Sequence, residues 1–341
     1  MIIACPYCAA VQELPSLPPR TVARCRRCEG ILEQTAGRSI TAAFALSLAT
    51  FLMLIPAYAL PFLSFSKLGF SAETRLGSGV VTLFQQRELL LAFGVLLFGI
   101  LLPLTRFGLL SASLGAVRFG HRPYWLPQAF RWATALDLWA MPDVFLLACI
   151  VGYNRLGPYL PLHIHAGGYC FLAAALLSMI THASLDRRTV WRAIPVERPQ
   201  VSPGGPHLCC LTCDLLLPME LDGRRCPRCR SRVHARKPDA MIRTAALVIA
   251  GYLFYLPANV FPMSTMVWFG GREGHTVFWG IMKLVQASLL PLAALIFFTS
   301  IMLPVLKLLG MTWCLLSVRR RSRRHLVTKT KVYRLLDDMG R

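Results

Sequence analysis

The sequence predicts an all-α integral membrane protein built from a duplicated unit, in which a four-cysteine ribbon precedes a block of transmembrane helices. Charged residues make up only 16% of the 341 residues, whereas soluble domains carry about 25%. Apolar runs of about 17–25 residues, long enough to cross a bilayer as helices, recur along the chain. Pairs of Cys-x-x-Cys motifs precede these runs twice, with a repeat offset of 201 residues.

The first ribbon is predicted over residues 1–38. Its two motifs supply four cysteines, which are Cys5, Cys8, Cys25 and Cys28. Four thiolates at this spacing suit one tetrahedral Zn²⁺ and leave no open coordination position. Iron is the competing ion, because four sulfurs also suit it. A segment this short has no deep core, so we expect the metal to supply most of its folding free energy.

The first membrane block is predicted over residues 39–185. It contains four apolar runs that we expect to span the membrane, over residues 41–65, 89–116, 139–156 and 167–184. The second run is interrupted by Pro103, and residues 66–87, between the first two runs, carry no strong helix signal.

A polar, basic segment over residues 186–242 holds the second ribbon, with the ligands Cys210, Cys213, Cys226 and Cys229. Cys209 precedes a ligand and could pair with Cys213 instead, but the Cys-x-x-Cys spacing favours Cys210. With the first ribbon, this site predicts two bound Zn²⁺ ions. A second membrane block over residues 243–318 provides two further spans, and residues 319–341 form a basic tail.

The two halves of the chain repeat each other at an offset of 201 residues. Prolines, a glycine and cysteines coincide, which chance would not produce in apolar sequence: Cys25/Cys226, Pro56/Pro257, Pro61/Pro262, Gly79/Gly280 and Pro103/Pro304. We expect the halves to have parallel orientations in the membrane. The second half contains no counterpart of the third and fourth spans, so we expect a chain that is truncated at its C-terminus.

Charge predicts the orientation of the spans. The net charge is +21, and the excess of Lys and Arg lies in residues 20–38, 187–243 and 319–334. Six spans would place these segments on one side, which the positive-inside bias identifies as the cytoplasm. Clustered thiols favour the same reducing compartment. Because the basic segments flank apolar spans, we expect them to meet membrane lipid rather than nucleic acid. The first motif begins at Cys5, so we expect no cleaved signal peptide.

Three charged residues inside the apolar spans are candidate functional residues. Asp143 lies one turn inside the third span, where a carboxylate is costly and needs a partner. It either joins a polar, proton-linked network or caps its helix near the interface. Arg106 and Lys307 occupy equivalent positions, three residues after a matched proline. Each either reaches to the interface or pairs with Asp143 or a lipid headgroup.

Taken together, these motifs resemble the paraquat-inducible protein A family, including its lipophilic envelope-spanning tunnel branch. The resemblance covers nearly the whole chain. It rests on the paired ribbons and on the stretches at residues 141–145, 255–262, 287–307 and 333–334. It implies a bacterial inner-membrane protein that works with a periplasmic partner of the mammalian-cell-entry (MCE) type, and that moves lipids between the two membranes of the envelope.

The resemblance and the residues together predict a multi-pass inner-membrane component of a lipid-trafficking system. The ribbons would brace the spans and offer a docking face. No set of catalytic residues stands out, and no phosphate-binding Gly-rich loop is present in the sequence, so we expect no enzymatic activity. Two alternatives are a secondary transporter or stress-response exporter of small amphiphiles, and a membrane zinc-ribbon adaptor that transports nothing.

Overall fold

The computed structural model describes most of the chain, over residues 2–5, 7–8, 10–14, 18, 21–34, 39–67, 70–156, 161–196, 207–235, 239–262, 264–268, 271–286, 290–320 and 326–338. The chain divides into two compact units. The central unit comprises Pro15–Val22 and Gln34–His234, and therefore holds the first membrane block and the second ribbon. The terminal unit comprises Met1–Leu14, Ala23–Glu33 and Ala235–Arg341, and therefore holds the first ribbon and the second membrane block.

The first ribbon consists of two short antiparallel hairpins. In the first hairpin, β1 (Ile2–Ala4) pairs with β2 (Val11–Glu13). In the second, β3 (Val22–Arg24) pairs with β4 (Ile31–Gln34). Each hairpin presents one Cys-x-x-Cys turn, so the two turns can face one metal ion.

The first membrane block begins with a helix, a hairpin and a long interrupted helix. Helix α1 (Ile40–Ala59) starts at Ser39, whose side chain accepts a hydrogen bond from the Thr41 N–H at 3.1 Å. The elements that follow are β5 (Leu63–Lys67), β6 (Phe70–Thr74), α2 (Leu76–Gln85), α3 (Leu89–Gly94), a π-helical segment (Val95–Leu101) and α4 (Leu102–Arg118). Residues 66–87, which carry no strong helix signal in the sequence, thus include the end of β5, all of β6 and the short helix α2.

The remainder of the central unit completes the block and adds the second ribbon. Its elements are α5 (Leu126–Ala135), a 3₁₀ turn (Leu136–Leu138), α6 (Pro142–Leu156), β7 (Leu162–Ile164), α7 (Ala166–Ser184), α8 (Arg187–Ala193), β8 (His207–Cys209) and β9 (Leu216–Pro218). Strand β7 joins the far edge of β5, so the sheet order is β6-β5-β7. Helix α1 packs between α4 and α7, which places these three helices at the centre of the block.

Glycines allow the helices of the central unit to approach closely. A Cβ added to Gly167 would lie 2.7 Å from the carbonyl oxygens of Leu60 and Pro61. The Gly167 N–H donates to the Pro61 oxygen at 3.0 Å. The start of α7 therefore packs directly on the backbone at the end of α1. Gly115 of α4 similarly faces the ring of Phe44, which would be 3.0 Å from an added Cβ.

The second membrane block repeats the first half of the first block. It contains α9 (Ala240–Val260), β10 (Ser264–Trp268), β11 (Gly271–His275), α10 (Val277–Gln286), α11 (Leu290–Phe297), a π-helical segment (Phe298–Met302) and α12 (Leu303–Arg319). Helix α13 (Leu326–Asp338) follows this block. The β10–β11 hairpin, α10 and α12 match β5–β6, α2 and α4 residue for residue at the offset of 201. The structure thus confirms the internal repeat.

Each π-helical segment ends two residues before a matched proline, Pro103 or Pro304. In each block, a tyrosine from the first helix donates to a carbonyl of this segment. Tyr58 bonds the Gly99 oxygen at 2.7 Å, and Tyr255 bonds the Ile301 oxygen at 3.0 Å. A π-helical turn disturbs the regular helical ladder, so these tyrosines stabilise the same irregularity in both blocks.

Six helices in the described part of the chain are long and apolar enough to cross a membrane: Ile40–Ala59, Leu89–Arg118, Leu126–Tyr153, Ala166–Ser184, Ala240–Val260 and Ala293–Arg319. The prediction of a largely helical, multi-pass membrane protein with six spans is confirmed. The third span begins earlier than expected, because α5 and the turn at Leu136–Leu138 continue into α6. The described strands occur as short hairpins in the ribbons and as one three-stranded and one two-stranded sheet beside the spans.

Candidate metal centres and a buried polar cluster

The four cysteines of the first ribbon converge. All four sulfur atoms lie within 4.8 Å of one another, and the closest pairs are Cys5–Cys28 at 3.5 Å and Cys8–Cys25 at 3.6 Å. Four sulfurs bound tetrahedrally at about 2.3 Å from a metal are about 3.8 Å apart. A disulfide needs about 2.05 Å. The spacing therefore fits a metal site and excludes disulfides.

The second ribbon has the same geometry. Its sulfurs also lie within 4.8 Å of one another, with Cys210–Cys229 at 3.5 Å and Cys213–Cys226 at 3.6 Å. The Ser231 hydroxyl lies 2.9 Å from the Cys229 sulfur, where it can donate to a thiolate. The two predicted ligand sets are thus assembled as the sequence indicated, and both can hold a metal ion.

The turns that carry the cysteines share one backbone conformation. The first cysteine of each motif donates its N–H to the carbonyl five residues later, as in Cys25 to Gly30 at 2.8 Å and Cys226 to Ser231 at 2.8 Å. In the three turns whose fifth residue the structure describes, that residue lies in the left-handed region: Glu29 (φ 58°), Asp214 (φ 55°) and Arg230 (φ 58°). This closed turn points both sulfurs of a motif to the same side.

Cys209 is outside the second ligand set. It ends β8, and its sulfur lies 3.9 Å from the carbonyl oxygen of Cys210. It is not among the four cysteines whose sulfur atoms lie within 4.8 Å of one another. The structure therefore supports the Cys210 register that the motif spacing favoured.

The second ribbon contacts the helices α5 and α8 of the first membrane block. Arg131 of α5 donates to the Cys229 carbonyl oxygen at 3.3 Å. Arg188 of α8 pairs with Asp214, which follows Cys213, at 3.1 Å. Beneath the ribbon, the rings of Phe130 and Trp191 meet edge to face at 5.0 Å. Because two metal-binding turns take part, this contact depends on the folded ribbon.

The first ribbon contacts α13, which follows the second membrane block. Lys331 pairs with Glu29 at 2.7 Å, and the Arg334 guanidinium lies 5.8 Å from the centre of the Tyr7 ring. With two residues inserted in the second half of the repeat, Arg334 is the counterpart of Arg131. Each ribbon therefore contacts an equivalent basic helix, but the helix belongs to the other half of the sequence.

A cluster of four charged or titratable residues lies within the first membrane block; we call Arg106, Asp137, His182 and Arg187 the polar cluster. Arg106 is only 2% exposed. It forms an ion pair with Asp137, donates to the Ala140 carbonyl at 3.0 Å and lies 2.8 Å from His182 Nε2. Arg187 pairs with the other oxygen of Asp137 at 2.5 Å. The polar cluster joins α4, α7 and the turn after α5.

The three intramembrane residues predicted from the sequence have different environments. Arg106 is buried, and its carboxylate partner is Asp137 rather than Asp143 or a lipid headgroup. Asp143 is exposed in the first turn of α6 and forms no ion pair with a described residue. Lys307 is also exposed and has no carboxylate partner among the described residues.

Sequence reasoning missed Asp137, His182 and Arg187. Asp137 lies in a helical span that was expected to begin after it, at residue 139, so its carboxylate was not counted as intramembrane. His182 lies in the last turn of α7. The sequence offered one signal for this cluster: Asp137 is an acidic residue next to the apolar run of α6, and a charge at such a position requires a partner.

Comparison with known proteins agrees with this architecture. Residues 40–195 and 241–341 match the family described as Paraquat-inducible protein A. The chain belongs to this family. It is 26% identical to the "Lipophilic envelope-spanning tunnel protein A" of Escherichia coli K12, over 99% of this chain and 78% of that protein. It is 27% identical to "Intermembrane transport protein PqiA" of the same strain, over 99% of this chain and 82% of that protein.

A third relative is the "Probable intermembrane transport protein" of Haemophilus influenzae, which is 24% identical over 100% of this chain and 83% of that protein. No solved structure gives a significant match. The family matches include both membrane blocks, so the relationship extends to the repeat and does not depend on the ribbons alone.

Proposed function

We propose that this protein is the inner-membrane component of a lipid-trafficking system, and that it works with a periplasmic MCE-domain partner in maintaining the envelope. The observation that carries the proposal is the match of both membrane blocks to one family. Relatives aligned over 99% of the chain bear the names of an intermembrane transport protein and an envelope-spanning tunnel protein. A multi-pass protein with six apolar helices suits a role in extracting lipid from a bilayer or delivering lipid to it.

The proposed orientation places both termini and both ribbons in the cytoplasm. It is supported by the basic residues that surround the ribbons, since Arg131 and Arg188 contact the second ribbon and Lys331 contacts the first. Cytoplasmic segments next to spans carry such an excess of Lys and Arg. The sheet of β5, β6 and β7 lies at the C-terminal end of α1 and the N-terminal end of α7. It would then face the periplasm, where an MCE-domain partner would meet it.

The proposed role of the metal is structural. Zn²⁺ held by four cysteines has no open position for substrate, so each ion would stabilise its ribbon and the contact that the ribbon makes. We propose that the protein moves lipid without catalysing a reaction. Arg106, Asp143 and Lys307 remain proposed functional positions. Arg106 would hold the spans together, while the exposed Asp143 and Lys307 carry charges that can meet lipid headgroups.

The test uses the full chain extracted from membranes in a lipid-preserving polymer. Lipids that remain bound would be identified by mass spectrometry, and transfer of a fluorescent phospholipid between donor and acceptor vesicles would be followed. We expect bound phospholipid and measurable transfer. The variant Lys307→Gln should transfer more slowly than Lys307→Arg, because only the second retains the charge.

Two results would overturn the proposal. Export of small amphiphiles with no phospholipid transfer would instead support the transporter alternative. A chain that holds zinc and folds, but moves neither kind of molecule with or without an MCE-domain protein, would support the adaptor alternative.

A further inference from the structure

Helices α2 and α3 of the first membrane block form a hairpin over residues 76–94, which we call the apolar arm. The two helices pack against each other and are joined by a tight turn. In this turn, the Glu88 N–H donates to the Leu83 oxygen at 3.0 Å, and the Ala92 N–H donates to the Glu88 oxygen at 2.9 Å. Helix α3 continues through the π-helical segment into α4, so the apolar arm is a direct extension of the second span.

Contacts between α1 and α4 show how far the apolar arm extends. The two helices are antiparallel: an added Cβ at Gly115 would lie 3.0 Å from the ring of Phe44, and the Tyr58 hydroxyl donates to the Gly99 oxygen at 2.7 Å. The last turn of α1 is therefore level with Gly99. Residues 89–97 continue beyond this level for about 13 Å at the usual helical rise.

The sheet of β5, β6 and β7 marks the end of the hydrocarbon core on this side. Helix α1 has 20 residues and spans about 30 Å, which is the thickness of the core. The sheet begins at Leu63, soon after α1 ends at Ala59. Its outer strands, β6 and β7, are open edges, and such edges do not occur where lipid tails surround them. The apolar arm, which begins where β6 ends, therefore projects out of the core.

The surface of the apolar arm is nevertheless apolar. Its charged residues, Arg87 and Glu88, both lie at the tip. Six large apolar side chains are 44–86% exposed: Val81, Phe84, Leu89, Leu90, Leu91 and Phe93. The exposed surface continues along the same helix to Phe98 and Leu101 in the span. Contiguous exposed apolar surface is typical of a binding site, and its continuity with the span favours a ligand that arrives from the bilayer.

The exposure of the apolar arm does not arise from an absent span. All four spans of the first block are described. Helix α7 packs on α1, α6 packs on α7, and α5 packs on α4. These helices complete the block and still leave the apolar arm uncovered.

A glycine in α2 fits close approach by a ligand. Glycine is unfavourable inside a helix, yet a Cβ added to Gly79 would meet nothing within 4 Å, so packing within the chain does not require it. Gly280, the repeat counterpart in α10, also faces open space. The same side-chain-free position in both blocks would let an extended chain lie directly against the helix.

We propose that the apolar arm binds the acyl chains of phospholipids and guides them between the bilayer and the aqueous side on which the sheet lies. The acyl chains lie against Leu90 and Phe93, in line with the lipid-facing side chain of Phe98. This inference rests on the proposed function, to which it adds the place where a transported lipid leaves or enters the membrane.

The first test measures phospholipid transfer between vesicles by the full chain. Leu90 is 86% exposed, so Leu90→Gln removes apolar contact with a ligand but no packing within the chain. It should lower the transfer rate at least about fivefold, whereas Leu90→Met should retain the natural rate. Tyr124→Gln is the matched control, because Tyr124 is 83% exposed beyond the opposite end of the same span. It should transfer lipid as the natural chain does.

The second test identifies the occupant and the level of the apolar arm. A benzophenone amino acid in place of Leu90 should form adducts with phospholipid in native membranes, as should one in place of Phe98. A charged maleimide that does not enter bilayers is then applied to chains that keep only the ribbon cysteines. It should label Leu90→Cys but not Phe98→Cys, because only the first position lies outside the hydrocarbon core.

Three results would overturn the proposal. One is an unchanged rate for Leu90→Gln in a chain that transfers phospholipid. Another is protection of Leu90→Cys from the maleimide, which would place the apolar arm inside the core. The third is an adduct from position 90 with a protein or a second copy of this chain, and none with phospholipid. A natural chain that forms the phospholipid adduct but transfers no phospholipid would instead refute the proposed function and leave the binding site supported.

Discussion

Replacing Arg106 by leucine should destabilise the first membrane block, whereas the same change at its repeat counterpart Lys307 should have little effect. Arg106→Leu removes the ion pair with Asp137 and leaves the Ala140 carbonyl without its donor at 3.0 Å. Hydrogen bonds to charged groups contribute about 1.5–3 kcal/mol each, and breaking a buried ion pair costs about 3–5 kcal/mol. Because Arg187 still pairs with Asp137, we expect a loss near the lower end, about 3 kcal/mol.

Hydrogen exchange followed by mass spectrometry suits this prediction, because it reports opening free energies separately for each unit. Arg106→Leu should lower the opening free energy of α4 and α7. Lys307→Leu should change that of α9 and α12 by less than about 0.5 kcal/mol, as is usual for exposed positions. A double-mutant cycle with Asp137→Asn should give a coupling energy above about 0.5 kcal/mol. Equal effects of the two leucine variants would refute the assignment of Arg106 as a buried, paired residue.

Three further predictions concern the ribbons. Elemental analysis should find about two Zn²⁺ per natural chain and about one in Cys226→Ser, because the second ribbon loses a ligand while the first is intact; iron or unchanged zinc would contradict this. Arg230→Gly should stabilise the second ribbon by about 1 kcal/mol and slow zinc loss to a chelator, since glycine adopts positive φ freely; Arg232→Gly, in an extended bridge, should not. The hydrogen bond and the charge of Lys331 lower the pKa of Glu29 below its usual value of 4.5, so the contact of the first ribbon with α13 should be complete above pH 4.5 and weaken as the pH falls below it. Exchange of the α13 amides would report this, and Lys331→Met should lack that dependence.

Local features of the sequence were sufficient to predict the six spans, the repeat and the two sets of metal ligands. The length of an apolar run reports whether a helix can cross a bilayer. The spacing of Cys5 and Cys8, or of Cys226 and Cys229, reports whether one tight turn can present two sulfurs. Neither inference requires knowledge of which distant segments meet, and the structure agrees with both.

Predictions of which distant residues contact each other were less successful. For Arg106, the sequence left three alternatives open: the interface, Asp143 and a lipid headgroup. Asp143 was the only carboxylate among them, because it was the acidic residue recognised inside an apolar run. In the structure, the third span begins earlier in the chain and includes α5 and the turn at Leu136–Leu138. Asp137 therefore belongs to the span, and it forms the ion pair with Arg106. The hairpins and the amphipathic α2 were also missed, since short strands and a ten-residue helix give weak periodic signals.

The sequence by itself determined that this is a duplicated membrane protein with two four-cysteine sites, because span length, cysteine spacing and matched prolines are properties of short segments. Only the tertiary structure decided which helix each ribbon contacts and why Arg106 is buried while Lys307 is exposed. Equivalent residues such as these two have similar local sequences. Their environments differ because the first block packs α7 against α1, whereas no described helix packs on α9 in that way, and burial depends on such distant neighbours.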